Sequence, residues 1–276
     1  MPEGDTILRA ARTLARVLEG RRIEVFRSPL PKLSGANLAG RTVVRVEPRG
    51  KHLLFLLDDG RALHSHMRMT GSWHVYRPGE AWQKPDRLAR AVLETEAFVA
   101  VCFNAPVVEL LSPSELARHP SLSRLGPDVL SPTFDSATAR ERLKAMPRSP
   151  IGEALLAQGA IAGIGNIYKS EALFASGVSP FAPVAALSDE WLDRVIGAAR
   201  RLMSANVDSS SRTTTRTAWA GAGRGSSRYF VYDRSGRPCF VCGGRVRMRR
   251  QGEAGRSTYW CPGCQKEPGN PGAVPP

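Results

Sequence analysis

Two cysteine pairs constrain this chain more than any other feature. Cys239 and Cys242 enclose two residues, Cys261 and Cys264 enclose two more, and eighteen residues separate the pairs. Such spacing lets four thiolates close around one tetrahedral Zn2+, whereas a redox pair does not account for the duplication. No ligand position is left open, so the ion is structural and contributes about 10–16 kcal/mol of apparent folding free energy. Arg245, Arg247, Arg249, Arg250 and Arg256 lie between the pairs and put a basic hairpin on a rigid base. This reads as a DNA-binding finger, without the Cys2His2 arrangement that carries a sequence-reading helix. The fifth cysteine, Cys102, stands in an apolar run and reads as a small buried side chain.

Charge points to the same partner. The 276 residues carry a formal net charge of +14. Arg200 to Arg256 holds thirteen arginines, no lysine, and only Asp208, Asp233 and Glu253 as acids. Arginine's planar fork suits phosphate oxygens, and so local an excess marks a polyanion-binding surface rather than a solvated face. No apolar run approaches the ~18–20 residues of a membrane span, and no secretion signal opens the chain. A monomeric, intracellular, cytoplasmic and nucleoid-associated protein is expected, a setting in which disulfides are rare.

Periodicity divides the chain. Ile7, Leu8, Ala11, Leu14, Ala15 and Leu18 recur at helical spacing, which predicts a helix over about 5–19, with Gly20 as its stop. Strands follow at 41–46, 52–57 and 62–66, the last two joined by an Asp59-Gly60 turn, then at 91–94 and 98–103. Trp73, Trp82 and Phe103 read as core or rim. His64 and His66 share one strand face as polar packing, with nothing nearby to complete a metal set. The Pro- and Ser-rich run 112–132 reads as an interdomain connection. Helices are expected over 134–146, from a Ser149 cap followed by Pro150, over 167–175, and from Ser188 to about Ala205. The Gly- and Thr-rich run 209–227 reads as a mobile loop. The expected class is α+β multidomain: an antiparallel β-sandwich with a flanking helix (1–131), a helical domain (132–223), a zinc finger (224–267) and a disordered tail (268–276).

Three short stretches carry chemistry. Removal of Met1 would leave Pro2 with a free secondary amine, and a chain-terminal amine titrates near ~7.7–8 against ~10.4 for lysine. Attack by such an amine on a sugar carbon ends in an iminium, an electron sink that weakens neighbouring C–H and C–O bonds. Glu3 is close enough to move a proton in the same step. The first helix would turn its positive end toward both residues. Lys51 follows Arg49-Gly50 at the mouth of a strand. Gly163 and Gly165 would let backbone approach a phosphate at a helix start, where Asn166 can donate to it.

The segment Ala162-Gly163-Ile164-Gly165-Asn166-Ile167-Tyr168-Lys169-Ser170-Glu171-Ala172-Leu173-Phe174 resembles the helix-two-turn-helix of the formamidopyrimidine-DNA glycosylase and endonuclease VIII family. So do the Pro2-Glu3 start, Gly50-Lys51, the run Ser65-His66-Met67-Arg68-Met69-Thr70-Gly71-Ser72, and Gly255 to Cys264 with its zinc ligands. These motifs fall in the family's order. The resemblance implies a base-excision repair enzyme that flips a damaged nucleotide of double-stranded DNA into a cleft between two domains. It implies Pro2 as nucleophile, Glu3 as acid/base partner at the opening sugar, and Lys51 as partner at the lesion's phosphate or sugar. Asn166, with Gly165, and Arg256 would clamp phosphates flanking the lesion. Met69, with Arg68 beside it, would enter the gap left by the flipped base, and elimination would cut the strand on both sides of the sugar.

Three departures bear on substrate. The oxidised-purine branch opens Pro-Glu-Leu-Pro-Glu, where this chain has Pro2-Glu3-Gly4-Asp5-Thr6. Val108-Glu109 stands where that branch carries an Arg-Phe pair, and Gly152 replaces a lysine. All three tilt the resemblance toward the endonuclease VIII side and oxidised pyrimidines such as thymine glycol and dihydrouracil. An enzyme for oxidised guanine, and a non-catalytic binder of damaged DNA, are the competing readings.

Overall fold

The first helix shows how local sequence fixes the architecture. In the computed structural model, α1 runs Gly4–Leu18 and buries Ile7, Ala11, Leu14 and Leu18, a single apolar stripe. Glu3 is its N-cap residue, and the Glu3 carbonyl accepts the Thr6 and Ile7 amides at 2.9 and 3.1 Å. At the other end the Glu19 carboxylate accepts the Val46 amide at 2.7 Å, tying the helix to the following sheet. The residues described are 2–209, 211–215 and 227–266. The expected loop at 209–227 therefore lies mostly outside them, and the expected tail lies wholly outside.

The chain forms two compact units, 1–124 and 125–276. Eight strands build the first: β1 Val25–Arg27, β2 Val43–Arg49, β3 His52–Leu57, β4 Ala62–His66, β5 Ser72–Tyr76, β6 Ala89–Glu94, β7 Val99–Phe103 and β8 Val107–Leu111. They make two four-stranded antiparallel sheets, ordered β2-β3-β4-β8 and β1-β6-β7-β5. Alternate residues of facing strands meet between the sheets: Leu53, Phe55 and Leu63 from one, Ala91, Leu93, Ala100 and Cys102 from the other. Trp73 lies against Phe55, and Trp82 against Phe103, so both serve packing as expected.

Five of the eight strands match the expected ones to within a few residues; β1, β5 and β8 do not appear in the sequence reading. β1 has three residues, too few for a period. β5 (Ser-Trp-His-Val-Tyr) is half-buried at four of its five positions, so its alternation is blurred. The run read as a connection also contains a helix, α2, Pro113–Arg118, opened by a reciprocal Ser112/Glu115 cap.

Helices α3 Ser136–Lys144, α4 Ile151–Ala154, α5 Asn166–Ala175 and α6 Asp189–Ser204 form the body of the second unit. Ser149 does not cap α4: extended Pro150 holds that place, and after four helical residues the chain enters a loop braced by Gln158. Its amide donates to the Leu156 and Ile164 carbonyls while its oxygen accepts from Gly163. The hairpin β9 Arg247–Gln251 and β10 Arg256–Trp260 completes this unit and packs on α5. No described helix is long and apolar enough to cross a membrane.

Phe55 is wholly buried at the centre of the sandwich. Phe55→Ala should therefore destabilise the first unit by about 3–5 kcal/mol, read by chemical denaturation.

Candidate functional site

In the first unit three of the expected residues sit on backbone that local chemistry fixes. Pro2 is half-buried immediately before α1, and Glu3 and Asp5 are fully buried on the first turn. Gly50 and Lys51 form the two-residue loop closing β2 to β3, where Arg49 pairs with His52. Gly50 has φ 59°, the positive value a type II′ turn requires at its first position.

The loop after β4 has a closed base and an open tip. Met67 is buried and its carbonyl accepts the Gly71 amide at 2.8 Å. A Cβ at Gly71 would lie 2.7 Å from Met67 backbone, so only glycine closes this turn. Thr70 Oγ1 donates to the Asn104 carbonyl at 3.1 Å. Arg68, held at φ 45° with its amide donating to His66 Nδ1 at 3.1 Å, and Met69, 59% exposed, form the tip.

Histidines collect beneath this loop. His52 Nδ1 and His64 Nε2 are 2.8 Å apart, His64 Nδ1 lies 2.8 Å from Glu109 Oε1, and His119 Nε2 lies 3.0 Å from the same oxygen. The expectation that nothing completes a donor set around His64 is thus overturned, because β8 and the end of α2 bring in residues distant in sequence. The donor atoms of His64, Glu109 and His119 lie within 4.8 Å of one another. Proton placement nevertheless makes this a hydrogen-bonded chain. His119 Nδ1 accepts the Ser121 and Leu122 amides at 3.3 Å, which leaves its proton on Nε2, facing Glu109. A metal at Nε2 would move that proton into the two backbone donors. Val108 is buried, and the half-buried Glu109 is held by both histidines.

Burial, then the neighbouring histidines and Lys51, pushes the His52 pKa down to about 3. Burial, His64, Arg68 and Lys51 push His66 down to about 4. Burial also lowers His64, against the upward pull of Glu109.

In the second unit Gly165 caps α5, and Asn166 opens it with Nδ2 donating to the Ser257 carbonyl at 2.7 Å. Asn166 Oδ1 is buried with no hydrogen-bond partner among the described residues. Arg256 starts β10, exposed, opposite Gln251. Gly152 is a glycine because Gln251 fills the space beside it: a Cβ there would lie 2.7 Å from Gln251 Oε1 and 2.9 Å from the Pro180 carbonyl. Sequence reasoning missed Glu171. This wholly buried carboxylate accepts the Phe230, Val231 and Tyr232 amides at 2.8–2.9 Å and the Thr214 hydroxyl, and pins the start of the finger to α5. Burial raises its pKa. The acidic residue in the helix motif was the one available signal.

The four cysteines converge. Cys239 and Cys264 sulfurs are 3.7 Å apart, Cys242 and Cys261 sulfurs 3.4 Å, and all four lie within 4.8 Å. Bonds of ~2.3 Å to a tetrahedral zinc put sulfurs roughly 3.8 Å apart, so the set fits one such ion with small adjustment.

Known proteins resemble the chain in sequence and in fold. Residues 1–106 match the model of the formamidopyrimidine-DNA glycosylase N-terminal domain, and 125–217 match that of its H2TH domain. The chain is 43% identical over 271 residues to the probable endonuclease 8 2 of Streptomyces coelicolor, covering 97% of this chain and 95% of that one. It is 37% identical to a DNA-(apurinic or apyrimidinic site) lyase of Mycolicibacterium smegmatis, covering 96% and 99%. The crystal structure of the MutM (Fpg) protein from Thermus thermophilus superposes with TM-score 0.78 at 32% identity, covering 96% and 99%. The Lactococcus lactis Fpg, solved non-covalently bound to DNA containing an AP site, shares the fold at TM-score 0.78 and 22% identity.

Histidine protonation gives a test of the first unit. The unfolded histidines titrate near ~6.5 and bind more protons than the folded ones between that pH and about 4. Their contribution is complete above ~6.5 and is lost as pH falls through the folded values. Glu109, also lowered, adds to the loss at the acid end. Urea unfolding at stepped pH should show stability falling by roughly 1.4 kcal/mol per pH unit per histidine across that window. Substituting His52 should flatten the slope.

Proposed function

The chain belongs to the formamidopyrimidine-DNA glycosylase and endonuclease VIII family, and from that membership we propose a bifunctional DNA glycosylase and abasic-site lyase of base-excision repair that favours oxidised pyrimidines. The observation that carries the proposal is the start of α1: Pro2 stands just before the helix's positive end, beside a fully buried Glu3.

Once Met1 is removed, the Pro2 nitrogen attacks C1′ of the lesion sugar and the C1′–base bond breaks, its electron pair leaving with the base. The amine loses its proton and the sugar ring opens to an iminium at C1′. Glu3 serves the opening ring oxygen as acid/base partner, and Lys51 serves the lesion's sugar or phosphate. The iminium accepts the electron pair released when a proton leaves C2′, and the C3′–O bond breaks. A second elimination breaks C5′–O, and both phosphates depart.

Asn166, with Gly165 at the α5 N-terminus, and Arg256 on the hairpin hold phosphates. Met69 at the exposed tip fills the vacated stack, with Arg68 beside it. Cys239, Cys242, Cys261 and Cys264 hold one zinc, which stiffens the hairpin and takes no part in the chemistry. Val108 and Glu109, standing where the oxidised-purine branch carries its Arg-Phe pair, favour this reading over an oxidised-guanine enzyme.

Borohydride reduction with lesion-bearing duplex is the test. A covalent crosslink is expected with the parent protein on oxidised-pyrimidine and abasic duplexes, a weaker one with Pro2→Gly, whose primary amine can still form an imine, and none once the N-terminal amine is selectively acylated. Full crosslinking by the acylated protein would move the nucleophile elsewhere, and binding without any crosslink by the parent would make the chain a non-catalytic binder. Metal analysis should return one zinc per chain, and chelation should abolish DNA binding until zinc is restored.

A further inference from the structure

A lysine lies entirely inside the second unit. Lys169, the fourth residue of α5, has no exposed surface, although lysine is among the side chains least often buried. Its Nζ donates to Thr258 Oγ1 at 2.7 Å and lies 3.4 Å from the Ser257 carbonyl. That carbonyl is the one accepting from Asn166 Nδ2 at 2.7 Å. Thr258 Oγ1 donates to Gln251 Oε1 at 2.8 Å, and Gln251 Nε2 donates to the Pro180 carbonyl at 3.0 Å. The chain of bonds thus runs from α5 through both strands of the hairpin. It passes on either side of Arg256, whose cross-strand partner is Gln251 and whose next two residues are Ser257 and Thr258.

The hydrogen bonds give this chain one direction: Lys169 Nζ donates to Thr258 Oγ1, and Thr258 spends its own proton on Gln251 Oε1. Gln251 must then turn its amide toward Pro180. A neutral alcohol or amide at position 169 would allow the opposite polarity, and an aliphatic side chain would leave the buried Thr258 hydroxyl short of a donor.

We infer that Lys169 is a positioning residue for DNA binding. It locks β10 onto the first turn of α5, so that Asn166 and Arg256 act as one preformed phosphate clamp. The inference rests on the reading of those two residues as phosphate contacts.

The experiment uses the full zinc-loaded chain and a labelled duplex carrying a tetrahydrofuran abasic analogue, with affinity measured by anisotropy across a salt series. Lys169→Met should weaken binding about tenfold, as expected when a clamp loses one or two charge-assisted contacts. The log–log salt slope should fall by about one phosphate equivalent. Zinc content should stay at one, and single-turnover cutting of a true abasic duplex at saturating protein should stay within about twofold. Thr258→Val should reproduce the loss, and the double variant should be no worse than either single, because both break one chain of bonds. If Lys169→Met fails to retain zinc, Thr258→Val and its salt slope decide alone. Parental affinity in a folded Lys169→Met or Thr258→Val, or fully additive losses in the double variant, would overturn the inference. Asn166→Ala separates the two levels. If it binds like the parent, the clamp reading itself fails; if it binds weakly while Lys169→Met binds normally, only the role of Lys169 is lost.

Discussion

Backbone N–H groups that lose water must find another acceptor, and one carboxylate solves this for the entry to the finger. Glu171 takes three consecutive amides, Phe230 to Tyr232, and the Thr214 hydroxyl, inside a unit where none of its surface reaches solvent. A charge buried so deeply is tolerable only because several donors converge on it. Those amides in turn fix where the chain enters the cysteine ribbon. The stacked Phe174 and Phe230 rings cover the same junction with apolar surface. The ribbon is therefore seated by side chains of α5, and the metal site closes a structure already anchored at its root.

The same helix supplies both the seat and the surface. Its first residue, Asn166, and its fourth, Lys169, reach the hairpin, while its sixth, Glu171, reaches the ribbon's entry. Nine of its ten residues are buried, which is why its sequence shows little of the one-sided periodicity that marks α1. Asn166, Lys169 and Glu171 inside it are not surface residues out of place; each answers a backbone group or hydroxyl of the finger, while Ser170 Oγ donates to the Asn166 carbonyl of its own helix.

What the sequence could and could not reveal follows from this. Cys239, Cys242, Cys261 and Cys264 were legible because metal ligation imposes spacing on the chain itself. The stripe Ile7, Ala11, Leu14, Leu18 was legible because one face meets one core. The Pro2-Glu3 start, Lys51, Asn166 and Arg256 could be placed only through likeness to a family, since each alone is an ordinary residue. Contacts made across long sequence separations left no local trace: Glu109 with His64 and His119, Lys169 with Thr258, Gly152 against Gln251. Ser149-Pro150 shows the opposite failure, a sound local signal overruled when Ile151 and Gly152 gave their amides to the Ala182 and Pro180 carbonyls.

Charge is sorted by partner as well as by position. On α3 and α6, Arg140 and Lys144 meet Asp189 and Asp193, so those cations are spent within the fold. On the hairpin the contacts are of another kind. Arg249 lies 3.8 Å over the Phe181 ring, which Trp260 meets edge-on, and Arg250 donates to the Gly255 carbonyl at 3.0 Å. An aromatic face and a carbonyl orient a guanidinium without cancelling its charge. Arginines held this way lose less freedom on meeting a phosphate than arginines on a loose loop, and their uncancelled charge can still displace the cations condensed along a polyanion. Rigidity of the hairpin therefore favours binding of a polyanion: a basic surface gains affinity from being set before its partner arrives.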